Sequence, residues 1–357
     1  MDLSSLACKR VRELTPYQSA RRIGGVGRVY LNANESPVSA EFSLDTSDYN
    51  RYPDCQPEEI LEAYASYAGN GVTSDMVMVS RGSDEAIGLL VRTFCEPGKE
   101  NIIICPPTYG MYSIAAETNG IGVVKIAPCE DFQPDAAAIS SRLAQGDAKV
   151  VFLCSPNNPT GTILDRGILL EILKAAEGKA LVVVDEAYIE FCPENSACDL
   201  LKSHKNLVIT RTLSKAFALA GLRCGFTIAD PEIIGMLLKV IDPYPICAPV
   251  AQIAVQALSE KGLKITAARV EELNESRTAF VELLKQMKRV KKVHDAMGNY
   301  VLAEFDDGDD LFASAKKAGF ILRDFGDKPR LKGCVRITVG TKAEMADLAA
   351  FMKEWDK

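Results

Sequence analysis

One lysine stands in a setting that suits chemistry better than structure. Lys215 lies in TLSKAFALAGLRCGF (212–226), among small and apolar side chains. Lysines are almost never fully buried, and burial favours the neutral amine over the ammonium. A neutral amine costs stability in a structural role and is useful as a nucleophile. The segment therefore indicates an amine that attacks an electrophilic carbon, and other residues must bind and orient its partner.

Five groups of polar residues, Lys215 included, each follow directly after a short apolar run. The pairs are MVMV (76–79) before Gly82, Ser83 and Asp84, NIIIC (101–105) before Tyr109, KVVFLC (149–154) before Asn158, ALVVV (180–184) before Asp185 and Tyr188, and NLVIT (206–210) before Ser214 and Lys215. Continuous Val, Ile and Leu runs are typical of strands buried on both faces of a largely parallel sheet. Ligands of such sheets bind beyond the carboxyl ends of the strands. We therefore expect these polar side chains to share one edge of the sheet.

The elements that position these groups can be read from the same segments. After the first run, Ile87, Leu90, Val91 and Phe94 recur at helical spacing and predict an amphipathic helix over 83–95. A strand, a glycine turn and a helix form the repeating unit of an α/β sheet. The sequence thus predicts an α/β fold in which a mostly parallel sheet is flanked by helices.

One ligand would use all of these groups. A helix start binds a phosphate, a carboxylate pairs with a pyridinium nitrogen, an amide and a phenol bind a phenolic oxygen, a ring stacks, and an amine reacts with an aldehyde. Pyridoxal phosphate combines these features. Each residue alone has an ordinary structural explanation, such as a helix cap, a turn or a surface lysine. Those explanations do not account for the common position at strand ends.

Composition limits the other possibilities. The chain has 357 residues, 47% of them hydrophobic and 25% charged, which predicts a large domain plus a smaller one in a globular protein. A net charge of −7 argues against nucleic-acid and anionic-membrane partners. No apolar segment has the length of a membrane span, and the first residues lack a signal-peptide core. We expect a cytoplasmic protein with no membrane partner.

Cysteine and histidine usage argues against a metal site. The eleven cysteines are scattered and odd in number, so we expect them to be reduced and mostly to fill the core. No CxxC motif occurs, and the only two histidines are His204 and His294. A zinc site and a serine–histidine hydrolase therefore both have little support.

Several motifs together carry a resemblance to a known family. SPNNPTG, VDEAYIEF and RTLSKAFALAGLRCGF resemble the fold-type I, aspartate-aminotransferase-like enzymes that use pyridoxal phosphate. LTPYQSARR, LNANES, NRYPD, SRGSDEAI, CPPTYGMY and VRITVGT are similar to the histidinol-phosphate aminotransferases among them. The resemblance spans nearly the whole chain. It implies a homodimer that transfers an amino group reversibly between L-histidinol phosphate and 2-oxoglutarate, giving imidazole acetol phosphate and L-glutamate, in histidine biosynthesis.

The resemblance also implies a role for each residue toward the cofactor. Lys215 would be covalently attached to it and would then move the substrate proton. Asp185 would pair with the ring nitrogen, Asn158 and Tyr188 would bind the 3′ oxygen, and Tyr109 would stack on the ring. The phosphate would be held by the turn of Gly82, Ser83 and Asp84, by Ser214, by Arg223, and by Tyr52 from a second subunit.

Substrate recognition would fall to two arginines. The resemblance implies that Arg336, in VRITVG, binds the substrate carboxylate, with Asn158 beside it. It places Arg323, in GFILRDF, and Tyr17 near the substrate phosphate. The alternative for Arg323 is a surface salt bridge to Asp324 or Asp327.

The prolines of DPYPICAPV (242–250) indicate a junction between domains. We expect an N-terminal segment (1–35) that packs on the small domain and on the dimer partner, a large cofactor-binding domain (36–248) and a small α+β domain (249–357). The last of these would contain a long charged helix over about 265–288, the strands NYVLAEF and CVRITVG, and a terminal helix.

Other functions remain as alternatives at this point. An aromatic or general amino-acid aminotransferase, or a phospho-amino-acid decarboxylase of the same fold, would share the cofactor residues. An effector module of a transcription regulator would need an attached DNA-binding domain, for which the chain has no room. A nucleotide-binding protein is disfavoured, because GGVG (24–27) follows no predicted strand and no GxxxxGK[ST] motif occurs.

Overall fold

The structure is a computed structural model that describes residues 3–20, 22 and 25–357. Arg21 of LTPYQSARR and Gly24 of GGVG lie outside the described residues. None of the helices in these ranges has both the length and the apolarity of a transmembrane span.

Thirteen strands are assigned in the described ranges, numbered here in chain order: β1 (Val29–Tyr30), β2 (Val77–Ser80), β3 (Asn101–Ile104), β4 (Gly122–Lys125), β5 (Ala148–Cys154), β6 (Leu181–Asp185), β7 (Leu207–Thr212), β8 (Gly225–Ala229), β9 (Val290–Val293), β10 (Tyr300–Phe305), β11 (Phe320–Ile321), β12 (Arg323–Asp324) and β13 (Cys334–Thr338). The α-helices numbered here are α1 (Lys9–Glu13), α2 (Glu58–Ala68), α3 (Ser83–Phe94), α4 (Met111–Asn119), α5 (Ala136–Leu143), α6 (Arg166–Ala176), α7 (Pro231–Leu237), α8 (Ala248–Leu258), α9 (Glu260–Lys285), α10 (Gly308–Lys317) and α11 (Lys342–Trp355).

The central sheet has seven strands in the order β2-β8-β7-β6-β5-β3-β4. The pairs from β7 through β6, β5 and β3 to β4 are parallel, whereas β8 is antiparallel to both of its neighbours. All five predicted strands are present, as is the helix predicted after the first. Sequence analysis did not predict β4 or β8.

The uninterrupted apolar runs are explained by burial on both faces of this sheet. Along β6, Val182 and Val184 belong to one hydrophobic cluster, and Val183 belongs to the other. Successive residues of a strand point to opposite faces, so each face needs its own apolar layer. Helices α3 and α4 pack together and cover one face.

A second sheet, in the order β12-β13-β10-β9, is antiparallel throughout. It contains both strands predicted from NYVLAEF and CVRITVG. Near it, β1 pairs in parallel with β11, which joins the N-terminal part of the chain to the C-terminal part. The long helix α9 runs from Glu260, capped by Ser259, to Lys285. The boundaries at 35/36 and 248/249 remain predictions.

All eleven cysteines are free. Five are buried, and Cys8, Cys129 and Cys247 are exposed, so the expectation that the cysteines fill the core holds only for some.

Candidate active site

The carboxyl ends of β5, β6 and β7 bring the predicted residues to one edge of the central sheet. Asp185 is the last residue of β6, Asn158 lies in the loop after β5, and Lys215 follows β7. The first turn of α3, after β2, meets the same edge through Arg223. The strand register therefore assembles residues that are far apart in the sequence.

Asp185 is a buried carboxylate without a cationic hydrogen-bond partner. Its side chain is 2% exposed. Its Oδ2 accepts a hydrogen bond from the Tyr112 hydroxyl at 2.7 Å, and its Oδ1 accepts one from the Ala187 N–H at 3.2 Å. Burial raises the pKa of Asp185 to about 6, although both hydrogen bonds act in the opposite direction. A positive charge from a ligand would restore the ordinary ionisation of this group.

Lys215 lies at the same edge and gives up its proton more readily than an ordinary lysine. Burial, together with the positive charge of Arg336, lowers the pKa of its amine to about 8. Arg223, the cation expected from the sequence, acts in the same direction but more weakly. The Nζ donates a hydrogen bond to the Ala33 carbonyl at 3.2 Å. Burial and the positive charge of Arg336 both favour the neutral amine that the sequence predicts at this position.

A glycine turn and an arginine form the anion-binding end. Gly82, with φ +77°, precedes α3, and no side chain caps the first turn of this helix. The positive φ favours glycine, and a Cβ on Gly82 would meet Arg223 Nη2 at 2.7 Å, so glycine also lets the guanidinium lie against the helix start. Arg223 itself has φ +56°, and its Nη1 approaches Ser214 Oγ at 3.4 Å. Free helix N–H groups beside a guanidinium suit a phosphate.

Close packing between the helix start and β8 depends on a second glycine. A Cβ on Gly225 would meet the Ser83 backbone nitrogen and the Gly82 carbonyl carbon at 2.5 Å. This contact keeps the end of β2, the start of α3 and the start of β8 together.

Tyr109 connects this end of the site to its centre. Its hydroxyl donates to Asp84 Oδ1 at 2.8 Å, and Asp84 Oδ2 accepts from Arg223 Nη2 at 3.3 Å. The Tyr109 ring makes an edge contact with Tyr112, with 5.7 Å between centroids. Asp84 thus contributes a negative charge at the end of the site where we expect the phosphate to bind.

Asn158, Tyr188 and Arg336 lie together beside Lys215. Arg336 Nη1 donates to Asn158 Oδ1 at 2.6 Å, and the Asn158 amide reaches the Tyr188 hydroxyl at 3.5 Å. Arg336 Nη2 donates to the Asn32 carbonyl at 2.7 Å, while its buried Nε has no partner. In the described ranges, no carboxylate lies within salt-bridge distance of this buried guanidinium.

The two arginines predicted to bind substrate are neighbours across a strand pair. Arg323 of β12 and Arg336 of β13 are directly opposite in register, an arrangement that is unfavourable for two like charges unless an anion lies between them. Arg323 Nη2 donates to the Gln18 carbonyl at 3.1 Å, and its Nη1 is buried without a partner. Burial raises the pKa of Tyr17, whereas the positive charges of Arg323 and Arg336 act to lower it.

The salt bridge considered as an alternative for Arg323 is absent from the described residues. Asp327 pairs with Lys328 at 2.7 Å, and Asp324 accepts the Gly326 N–H at 2.7 Å. Tyr52, which the family resemblance assigns to the site of a second subunit, is 81% exposed in this chain. Its ring stacks on Tyr244 with 4.4 Å between centroids.

Sequence analysis missed two contributors to the site. The LNAN segment passes through it, and Asn34 donates to the Tyr188 hydroxyl at 3.0 Å while adopting φ +52°. Tyr112 binds Asp185. Asn34 carried a signal, because a motif rich in asparagine that becomes buried must find partners. Within the described residues, no group of three or more metal-ligating side chains could hold an ion.

Comparison with known proteins agrees with this geometry. Residues 27–352 match the family "Aminotransferase class I and II". The fold resembles an aminotransferase from Sinorhizobium meliloti solved in complex with pyridoxal 5′-phosphate, with a TM-score of 0.84 and 21% identity over 97% of this chain and 96% of that one. It also resembles an enzyme from Clostridium acetobutylicum, with a TM-score of 0.82 and 24% identity over 92% of this chain and 99% of that one. The chain belongs to the class I and II aminotransferases.

The sequence relatives are more specific. The chain is 56% identical to the histidinol-phosphate aminotransferase of Aeromonas hydrophila over 99% of this chain and 98% of that protein. It is 52% identical to that of Salmonella typhi over 96% of this chain and 95% of that protein. Within its class, the chain therefore belongs to the histidinol-phosphate aminotransferase family.

Proposed function

We propose that the protein is a pyridoxal-phosphate-dependent aminotransferase that exchanges an amino group between L-histidinol phosphate and 2-oxoglutarate in histidine biosynthesis. Family membership at 51–56% identity supports the reaction. The observation that carries the proposal within the structure is a set of unpaired charges. Asp185 has no cation bonded to it, and neither Arg336 nor Arg323 has a carboxylate partner among the described residues. The protonated ring of the cofactor would supply the positive partner of Asp185, and anionic substrates would supply the negative partners of the two arginines.

The residues fit pyridoxal phosphate at each of its polar ends. Asp185, a buried acid with two neutral donors, would pair with the protonated ring nitrogen. The turn at Gly82, with Ser83, Ser214 and Arg223, would hold the phosphate. Further contacts would come from Asp84 at the phosphate end, Asn158 and Tyr188 at the 3′ oxygen, Tyr109 on the ring face and Lys215 at the aldehyde.

When bound, pyridoxal phosphate supplies an electron sink that makes the α-proton of an amino substrate acidic. Lys215 would supply the amine that attaches covalently to it and would then accept and return the proton, for which a pKa of about 8 is suitable near neutral pH. Asp185 would keep its negative charge, because the positive charge of the ring nitrogen favours the carboxylate over the neutral acid. Tyr188 is oriented by Asn34 and Asn158, so its hydroxyl is fixed before substrate binds.

Substrate selection would rest on the facing arginines. Arg336 would bind the carboxylate of glutamate or 2-oxoglutarate, because its planar fork matches a carboxylate. Arg323, with Tyr17, would meet the phosphate of histidinol phosphate. One pocket must accept both substrates in turn, so two guanidiniums on adjacent strands suit the alternation.

The test is an assay of the purified protein with histidinol phosphate and 2-oxoglutarate, in the wild type and in Arg323→Ala. We expect glutamate to form, and we expect the variant to lose roughly 10- to 150-fold in kcat/KM, the range for a lost charge-assisted contact. Unphosphorylated histidinol should be affected much less. Equal losses on both substrates would contradict the role of Arg323, and no turnover by the wild type would contradict the function.

We further propose that the active unit is a homodimer in the cytoplasm, without nucleic-acid or membrane partners. The exposure of Tyr52 supports the homodimer, because its ring is accessible to a second copy of the chain. Mixing Tyr52→Phe with Lys215→Ala subunits should partly restore activity, since one site of each heterodimer would carry neither change. The test requires that both variants be severely impaired alone. Proven subunit exchange without recovery would show that Tyr52 serves its own chain.

A further inference from the structure

A phenol that sequence analysis did not single out lies between the two ends of the candidate site. Tyr112, on α4, is fully buried, and its hydroxyl donates to Asp185 Oδ2 at 2.7 Å. Its ring stacks on Phe152 of β5 with 4.8 Å between centroids and an 8° interplanar angle. The edge contact with Tyr109 completes the packing around the ring. Both the position and the direction of the hydroxyl are thus determined by rigid elements.

The contact also determines how Asp185 is oriented. One carboxylate oxygen is bonded by Tyr112 and the other by the Ala187 N–H, so both ends of the carboxylate plane are fixed. A charged acceptor strengthens the hydrogen bond from a phenol. Loss of the hydroxyl would leave Oδ2, in a dry setting, without its protein donor.

We propose that Tyr112 is a positioning residue of the reaction, which acts through Asp185 by orienting its carboxylate and keeping it charged. The inference rests on the proposed function, because it assumes that Asp185 faces the protonated ring nitrogen of the cofactor. Tyr112 itself does not touch substrate. Its effect should therefore be seen in the protonation of Asp185 and in cofactor affinity, besides turnover.

The experiment measures the Kd of pyridoxamine phosphate between pH 5.5 and 8.5 in the cofactor-free wild type and in Tyr112→Phe. This probe cannot form the covalent bond to Lys215, so the titration of that amine enters the measurement only through its charge. In the wild type, affinity should fall on the acid side as Asp185 takes up a proton. In Tyr112→Phe, the fall should begin about one pH unit higher, which is a roughly fivefold weaker Kd near pH 6.

Other groups that face Asp185 do not explain such a shift. Burial raises the pKa values of Tyr112, of Cys154 on β5 and of Tyr188, so these groups keep their protons throughout the range. The negative charge of Asp84 also acts on Asp185, and it is common to both proteins. In the holoenzyme, kcat should fall about tenfold while KM for histidinol phosphate changes little.

Tyr64→Phe is the matched control. Tyr64 is equally buried and stacks on Phe226 with 3.5 Å between centroids, on the other face of the sheet. The control should show the stability effect of a lost buried hydroxyl without a change in the pH dependence of binding. The inference would be overturned if Tyr112→Phe lowered the stability of the protein but left the pH dependence of the Kd unchanged on the acid side. Failure of the wild type to bind the probe would instead overturn the proposed function.

If Tyr112→Phe does not fold, 3-fluorotyrosine at position 112 replaces it in the experiment. The ring keeps its size and the hydroxyl becomes a stronger donor, so the acid limb should move to lower pH. The absence of any shift with this residue would count against a role through Asp185.

Discussion

Two buried acidic regions lie side by side at the end of β6, and they differ in their partners. Asp185 is bonded only by neutral donors. Glu186, the next residue, is 1% exposed and accepts hydrogen bonds from Arg211 Nε at 2.9 Å and from the Ala197 N–H at 2.6 Å. Arg211 Nη2 lies 2.8 Å from the same carboxylate and completes the ion pair. Glu186 thus has its positive partner within the chain, whereas Asp185 has none and can pair with a cation from a ligand. The presence of an internal counter-charge distinguishes scaffold from binding site more clearly than burial does.

The largest expected effect is on chemistry in the first region. Lys215→Ala should lower turnover by about 10³-fold or more, because it removes both the covalent attachment point and the proton-transferring amine. Its melting temperature should stay the same or rise, since burial of this amine is unfavourable. Steady-state assays and thermal unfolding of the same preparation would check both. Turnover within tenfold of the wild type would remove Lys215 from the mechanism.

Changes around Glu186 should affect the unfolding free energy. Arg211→Ala leaves Glu186 as an uncompensated buried charge, which should cost about 3–5 kcal/mol of unfolding free energy. Urea unfolding of the wild type and the variant would measure it. Arg166→Ala is the matched control, because its pair with Asp199 is about half exposed and should contribute less than about 1 kcal/mol. Similar losses in the two variants would mean that the buried pair is not special.

Asp185→Asn, in contrast to Arg211→Ala, should raise the unfolding free energy of the cofactor-free protein. The pKa of Asp185 rises from 3.8 to about 6 on folding, so the folded state binds more protons than the unfolded state between these values. The contribution of Asp185 to the unfolding free energy therefore falls as pH rises from about 4 to 6, by up to about 3 kcal/mol. At pH 7.5 the asparagine variant should unfold at a higher urea concentration than the wild type. A less stable variant would show that the carboxylate is paired after all.

Much of this organisation could be read from the sequence because it depends on local pattern. Val182, Val183 and Val184 predict a strand buried on both faces, and the polar residue that follows marks its end. Strand β8 was missed because GFTIA is short and begins with glycine. Tyr112 was missed because a tyrosine within a helical pattern is indistinguishable from core packing. Its contact with Asp185 arises only when α4 packs across the sheet.

The substrate arginines show the same limit. Arg336 and Arg323 were selected through family resemblance, and their direct opposition depends on the register of β12 against β13. No local pattern in GFILRDF encodes that register. Likewise, the contact of Lys215 with the Ala33 carbonyl joins residues 182 positions apart, which no pattern around Lys215 indicates.

Gly82 and Gly225, at the anion-binding end, restrict which substitutions this sequence can accept. A methyl group at position 82 would strike the Arg223 guanidinium, and one at position 225 would strike the backbone at 82 and 83. The first collision is relieved only if the Arg223 side chain leaves the anion site, and position 82 has a positive φ that disfavours other residues in any case; the second collision is with backbone. In a saturation library, both positions should accept almost nothing besides glycine, even though neither has a side chain to bind or react.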